Sequence, residues 1–230
     1  MVEISLLRLL LMAIPVLGVL WLMKCWSGDV KEPSIAVVRM VVQLLLMGYV
    51  LVFVFGNESW FLQGVIIAFM ITISSWIAIR TVKKQRWRAF LEALLAITVG
   101  GGSVFVLVLV GVLQTWQPRY SIPLAGMIFA NAMTALTLAL ERFESERAHG
   151  QPLLEARRLA WNAALIPQIN SFLAVGLVSL PGMMTGQILA GASPLGAVRY
   201  QILVMAMVLC SAAYAVAIFL RRRVRFERKD

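Results

Sequence analysis

Amide and thioether side chains interrupt several long apolar runs of this 230-residue chain. Asn and Gln carry a donor and an acceptor, and Met carries a polarisable sulfur, so such groups can bind a polar or soft cationic solute inside a membrane. Helix packing for the amides and space filling for the thioethers stay open as alternatives. The candidates for lining a substrate path are Gln43, Asn131, Asn170, Met183, Met184 and Gln187.

Pro181 and Gly182 lie next to each other inside one of these apolar runs. Proline lacks a backbone N–H and clashes with the carbonyl four residues earlier, here that of Leu177, so we expect a kink or break in the helix. Broken helices recur at transport sites, whereas a kink in a plain packing helix is the alternative interpretation. Backbone groups freed by a break must be covered by protein or by a water-filled cavity.

Groups for other kinds of chemistry are absent from the sequence. No Asp, Glu or His lies at the middle of a predicted span, and there is no catalytic Ser/His/Asp set, metal-hydrolase motif or GxxxxGK[ST] nucleotide loop. Cys25 and Cys210 predict neither a disulfide framework nor a metal motif. We therefore expect no enzyme activity and no cofactor in this chain, and we leave any metal ligand unassigned.

The composition identifies the class of protein. Apolar residues make up 61% and charged residues 14% of the chain, and its mean hydropathy is +0.87. Soluble domains hold about 45–50% apolar and roughly 25% charged residues, so a soluble or disordered chain is excluded. The formal charge of +10 is typical of the cytoplasmic loops of a membrane protein, and it does not require a nucleic-acid partner.

Uncharged runs locate the elements that must position the candidate residues. A hydrocarbon layer about 30 Å thick needs roughly 20 helical residues, and no run has the two-residue period of a barrel strand. The sequence predicts an all-α, polytopic protein with one transmembrane domain over residues 1–230. About seven spans are predicted, at residues 4–23, 35–55, 59–79, 93–116, 120–140, 166–190 and 199–220.

The distribution of charge predicts the orientation. We predict an external N-terminus and a cytoplasmic C-terminus. With this orientation, the cytoplasmic loops hold 18 of the 21 Lys and Arg residues. The inside link of residues 141–164 carries both signs of charge, which suits specific docking on a protein partner, although a solvated connector is the alternative. The candidates for docking are Glu141, Glu144, Glu146, Arg147, Glu155 and Arg157.

One long run resembles a known family. Residues 176–191, GLVSLPGMMTGQILAG, are similar to the signature of the FetB-type (UPF0014) permeases. Supporting matches follow in order along the chain, although the link of residues 141–164 is shorter than the family pattern. They are Arg39 with Gln43, AITVG at 96–100, IPLAGMI at 122–128 with Asn131, ALIP at 164–167, and Tyr200-Gln201-Ile202.

The resemblance implies the membrane subunit of an ABC transporter in the bacterial inner membrane, working as a homodimer. A separate cytosolic ATPase would carry ATP and Mg²⁺, and the cargo would be iron or a related metal moving outward. Plant relatives are linked to aluminium tolerance and to sugar-nucleotide transport, so a non-metal substrate is one alternative. A membrane scaffold or sensor subunit without transport of its own is the alternative from another class.

Overall fold

The computed structural model describes residues 5–28, 30–56, 59–82 and 85–228. The chain forms two compact units, Met1–Asn57 and Glu58–Asp230. The first unit contains α1 (Leu6–Leu10), α2 (Ala13–Ser27) and α3 (Lys31–Gly56). Gly28 ends α2 in the left-handed region, with φ 73°, and donates its N–H to the Lys24 carbonyl.

The second unit contains the remaining helices. They are α4 (Trp60–Ala78), α5 (Arg86–Ala96), α6 (Gly102–Val106), α7 (Pro118–Ala148), α8 (Leu153–Ala174), α9 (Gly182–Leu189) and α10 (Pro194–Glu227). Two π-helical stretches, Ile97–Gly101 and Leu107–Leu113, continue α5 and α6 without a break. The side chains of Ser59 and Ser193 cap α4 and α10 by accepting hydrogen bonds from the third residue after each.

The prediction of an all-α, polytopic membrane protein is confirmed. Within the described residues, six helices are long and apolar enough to cross a bilayer. Each contains or overlaps one of the predicted spans, and together they leave out only the span predicted at residues 166–190. The six are Arg8–Ser27, Lys31–Gly56, Trp60–Ala78, Arg86–Leu113, Pro118–Ala148 and Pro194–Glu227.

A single helix over residues 166–190 is wrong, although the break expected within it is present. α8 ends at Ala174, residues 175–181 are non-helical, and α9 begins at Gly182. Gly176 adopts φ +80°, which reverses the chain before Pro181 is reached. Pro181 is therefore the residue preceding α9 instead of an interior residue, and the predicted clash with the Leu177 carbonyl does not arise.

The link of residues 141–164 is also mostly helical. α7 continues through Ala148 and α8 begins at Leu153, so only residues 149–152 form a turn between them. The predicted link is thus the tip of an antiparallel helical hairpin. We call residues 141–158 the hairpin tip.

α10 lies at the centre of the second unit, where it packs against α5, α7, α8 and α9 and against the first π-helical stretch. Its contact with that stretch is very close. A Cβ built on Gly100 would lie 2.6 Å from the backbone N of Ala215 and 2.8 Å from the carbonyl carbon of Tyr214. Since those atoms belong to the backbone of α10, the two helices approach this closely only with glycine at position 100.

Gly100→Ala is expected to separate these helices and to lower the free energy of unfolding by about 1–3 kcal/mol. The measurement is the thermal unfolding of the protein purified in detergent. Gly102→Ala is the matched control, because a Cβ there meets nothing within 4 Å. Equal stability of the two variants would contradict the close approach.

Candidate functional site

A cavity of about 490 Å³ lies beside the non-helical residues 175–181, which separate α8 from α9. We call it the break cavity. Its walls come from the end of α8, the non-helical residues, the start of α9 and the first turns of α10. The predicted residues Pro181 and Met184 line it, together with Gly176, Gln201 and Met205.

Gln201 is the distinctive group in this lining. Its side chain is only 7% exposed, and its Oε1 has no hydrogen-bond partner among the described residues. Leaving a buried carbonyl unsatisfied costs about 1–3 kcal/mol, and such groups are rare in folded proteins. The lining of the break cavity therefore contains one amide side chain, that of Gln201, and two thioether side chains, those of Met184 and Met205, in an otherwise apolar wall.

The backbone of the break satisfies most of its own N–H groups, from Val175 to Ser179. The Ala174 carbonyl accepts from the N–H of Val178 at 2.8 Å and from that of Ser179 at 3.2 Å. The Ser179 carbonyl in turn accepts from the Gly176 N–H at 3.0 Å. A non-helical segment within membrane depth needs such internal bonds, because lipid offers no partners.

The other predicted path residues lie away from the lining of this cavity. Asn131 on α7 donates its Nδ2 to the Met127 carbonyl of its own helix at 2.8 Å. Asn170 is exposed on α8, Met183 packs against the core, and Gln187 is half-buried on α9. Gln43 is exposed on α3 of the first unit.

The candidates predicted from the sequence did not include Gln201 and Met205, although both line the break cavity. Gln201 does carry a signal, since it is an amide placed within the apolar run of α10. Its burial depends on how α8 and α9 pack against α10 in three dimensions. No local pattern contains that information.

A network of ion pairs lies at the other end of α10. Arg223, whose side chain is 11% exposed, lies 3.3 Å from Glu144 of α7 and 3.8 Å from both Glu92 of α5 and Glu227. Arg147 of α7 pairs with Glu227 at 3.0 Å. These contacts fasten the hairpin tip to α5 and α10.

The network changes the interpretation of the docking candidates. Glu144 and Arg147 are engaged within the chain, and Glu146 pairs with Arg142 at 2.6 Å. Glu141 and Arg157 are exposed, and neither forms an ion pair among the described residues. The candidates thus divide into residues that brace the hairpin tip and residues that it presents outward.

Glu155 and Arg157 belong to a groove of about 780 Å³ between α8 and the end of α10. We call it the hairpin groove. Leu154, Trp161 and Leu220 supply apolar surface, and Arg221 adds charge to the rim. A hydrogen bond from Arg158, 2.6 Å from the carboxylate, lowers the pKa of Glu155, so this residue stays ionised.

Comparison with known proteins identifies the family. The pattern of the family described as "Uncharacterised protein family (UPF0014)" matches residues 4–157 and 149–226. The chain belongs to the UPF0014 family. Its two matched stretches meet within the hairpin tip, where the resemblance had marked a connection shorter than the UPF0014 pattern.

Relatives in this family come from bacteria and plants. The "Probable iron export permease protein FetB" of Escherichia coli is 37% identical over 82% of this chain and 78% of its own length. The "UPF0014 membrane protein YjkA" of Bacillus subtilis is 34% identical over 92% of this chain and 91% of its own. The "Protein ALUMINUM SENSITIVE 3" of Arabidopsis thaliana is 35% identical over 79% and 71%.

No solved structure matches this UPF0014 chain. The relatives confirm the resemblance to the FetB-type permeases and the prediction of an integral membrane protein. The orientation of the termini stays a prediction.

Arg223→Met is expected to lower the free energy of unfolding by about 3–5 kcal/mol, because it leaves the buried Glu92 carboxylate without its α10 partner. Thermal unfolding in detergent measures the change. Arg142→Met removes the same charge from an exposed pair worth about 0.3–0.5 kcal/mol and is the control. Adding Glu92→Gln to Arg223→Met should restore part of the lost stability, and no restoration would show that Glu92 is not the stranded group.

Proposed function

We propose that this chain is the permease subunit of an ABC transporter that exports iron or a related metal. In this proposal two copies of the chain pair in the bacterial plasma membrane, and a separate cytosolic ATPase drives them. The observation that carries the proposal is the break cavity, where the Gln201 amide and two thioethers line a pocket beside an interrupted helix. The name of the relative FetB supports the direction and the cargo.

The ligand set of the break cavity suits a cargo that must be released again. One amide and two thioether side chains are neutral, so those that turn towards the cargo can replace part of the hydration shell of a soft or borderline cation without holding it as strongly as carboxylates would. The described residues contain no cluster of three or more His, Cys, Asp or Glu that could hold a metal tightly. Such weak, neutral ligation favours passage over storage.

The proposed coupling runs along α10. Gln201 and Arg223 lie on this one helix, separated by about 33 Å at 1.5 Å per residue. The ion pairs of Arg223 fasten the hairpin tip to that helix, so a displacement of the tip by an ATPase would reach the break cavity through a continuous element. The hairpin groove, with Glu155 and Arg157 at its rim, is the proposed contact of the ATPase.

The lining of the break cavity also separates the alternatives. A sugar nucleotide carries phosphates, which proteins usually bind with Arg or Lys, and the cavity is lined by neither. A neutral lining therefore favours the metal over the nucleotide. The alternative outside the transporters is a scaffold or sensor subunit. Only a direct measurement of transport distinguishes it from a permease.

Co-expression with the ATPase encoded beside this chain tests the proposal. We expect the two proteins to purify together, the permease to stimulate ATP hydrolysis, and cells holding both to accumulate less iron than cells holding the ATPase alone. Parallel measurements with other divalent cations define the range of cargo. Failure of the two proteins to associate would overturn the proposal, and association with unchanged metal content would favour the scaffold.

Gln201→Leu is expected to reduce metal export by about tenfold, because it removes the one amide side chain from the lining of the break cavity. The free energy of unfolding should stay equal or rise, since an unsatisfied buried carbonyl is lost. Gln168→Leu is the matched control, because Gln168 on α8 is also buried with an unpartnered Oε1 but does not line the cavity. Equal loss of export in the two variants would contradict a role of Gln201 in the cavity, because it would show that removing any buried amide impairs export through the fold.

A further inference from the structure

A second groove lies between the start of α5 and the end of α10, and it shares no lining residue with the break cavity or the hairpin groove. Its volume is about 580 Å³, and we call it the arginine groove. It lies on a different face of α10 from the hairpin groove, since Arg221 lines one and Arg222 lines the other. The lining residues are Arg88, Glu92, Arg222, Arg225, Phe226 and Arg228.

The charges of the arginine groove do not balance. Glu92 is its one carboxylate, and it is already shared by Arg88 at 3.6 Å and Arg223 at 3.8 Å. Among the described residues, Arg222, Arg225 and Arg228 take part in no ion pair. Several guanidinium groups thus converge on one concave surface whose one carboxylate among the described residues is already shared, and guanidinium binds phosphate oxygens in two-point contacts.

The surface next to the groove is apolar. Leu95 and Val99 follow Arg88 on the same face of α5 and its π-helical continuation, and Leu91 lies beside them. Their side chains are 37%, 53% and 46% exposed. A stripe of open hydrocarbon surface therefore leads out of the arginine groove for about 16 Å along the helix.

The Arg88 side chain links these two surfaces. Its guanidinium lies over the ring of Phe226 on α10, which holds it at the mouth of the groove. A ligand that fits both surfaces has an anionic head and an apolar tail. A free phosphate would leave the stripe unused, and an acidic protein could not follow the stripe into the hydrocarbon layer.

We propose that the arginine groove binds the phosphate of an anionic phospholipid, with one acyl chain lying along Leu91, Leu95 and Val99. The charged end of the bundle, which the Lys and Arg distribution assigns to the cytoplasm, faces the leaflet that supplies such lipids. The site is independent of the proposed function, because it requires the position of the chain in a membrane and the predicted orientation of its charged end, but no transport. It gives this protein a lipid-dependent stability.

The test compares lipid retention by the full chain purified in detergent. Native mass spectrometry and thermal unfolding are measured with phosphatidylglycerol, with phosphatidylcholine and with inorganic phosphate. We expect phosphatidylglycerol to be retained and to raise the unfolding temperature, and Arg222→Gln with Arg225→Gln to weaken its retention by at least about tenfold. Arg157→Gln with Arg221→Gln removes the same charge from the hairpin groove and should leave retention unchanged.

Three results would overturn the proposal. Equal loss of retention in the two double variants would show that net charge alone attracts the lipid. Equal retention of phosphatidylcholine would show that the head group is not recognised, and an equal effect of inorganic phosphate would assign the groove to a soluble anion. Arg225→Gln alone, an exposed single change, repeats the comparison if the double variant fails to fold.

Discussion

The close contact between Gly100 and the backbone of Ala215 fixes the helix on which the other features depend. Without a side chain at position 100, α10 packs directly against the π-helical stretch and takes the centre of the second unit. α10 then carries Gln201 into the break cavity, Arg223 into the ion-pair network and Arg222 into the arginine groove. Three sites of different chemistry are therefore positioned by one helix and cannot move independently.

The rule that lipid satisfies no backbone hydrogen bond explains the form of the break. The carbonyls of Ala174 and Ser179 accept the N–H groups of Gly176, Leu177, Val178 and Ser179, so most donors freed by the interruption are paired within the break. Against this background the unused oxygen of Gln201 is significant, because the same fold that satisfies the backbone leaves one side-chain acceptor without a partner. The amide that carries this acceptor is also the one amide side chain in the lining of the break cavity.

Local properties of the chain were predictable, and long-range contacts were not. Span positions follow from the length and apolarity of single segments, so six of them were located from sequence. Pro181 and Gly182 indicated a break, yet the chain turns at Gly176, because a left-handed residue there is favoured by hydrogen bonds back to Ala174. The roles of Gln201, Glu144 and Arg147 depend on partners tens of residues away, and no spacing in the sequence indicates which residues they meet.

The interruption of α8 also constrains how this part of the protein is held in the membrane. α9 has eight residues and is about 12 Å long, well short of the roughly 30 Å of hydrocarbon. α8 begins with charged residues, including Glu155 and Arg158, which oppose its partitioning into lipid. Neither half is long and apolar enough to cross a bilayer by itself, so both depend on packing against α7 and α10 to lie at membrane depth. The segment that forms the break cavity is thus held in the membrane by its neighbours and not by its own hydrophobicity.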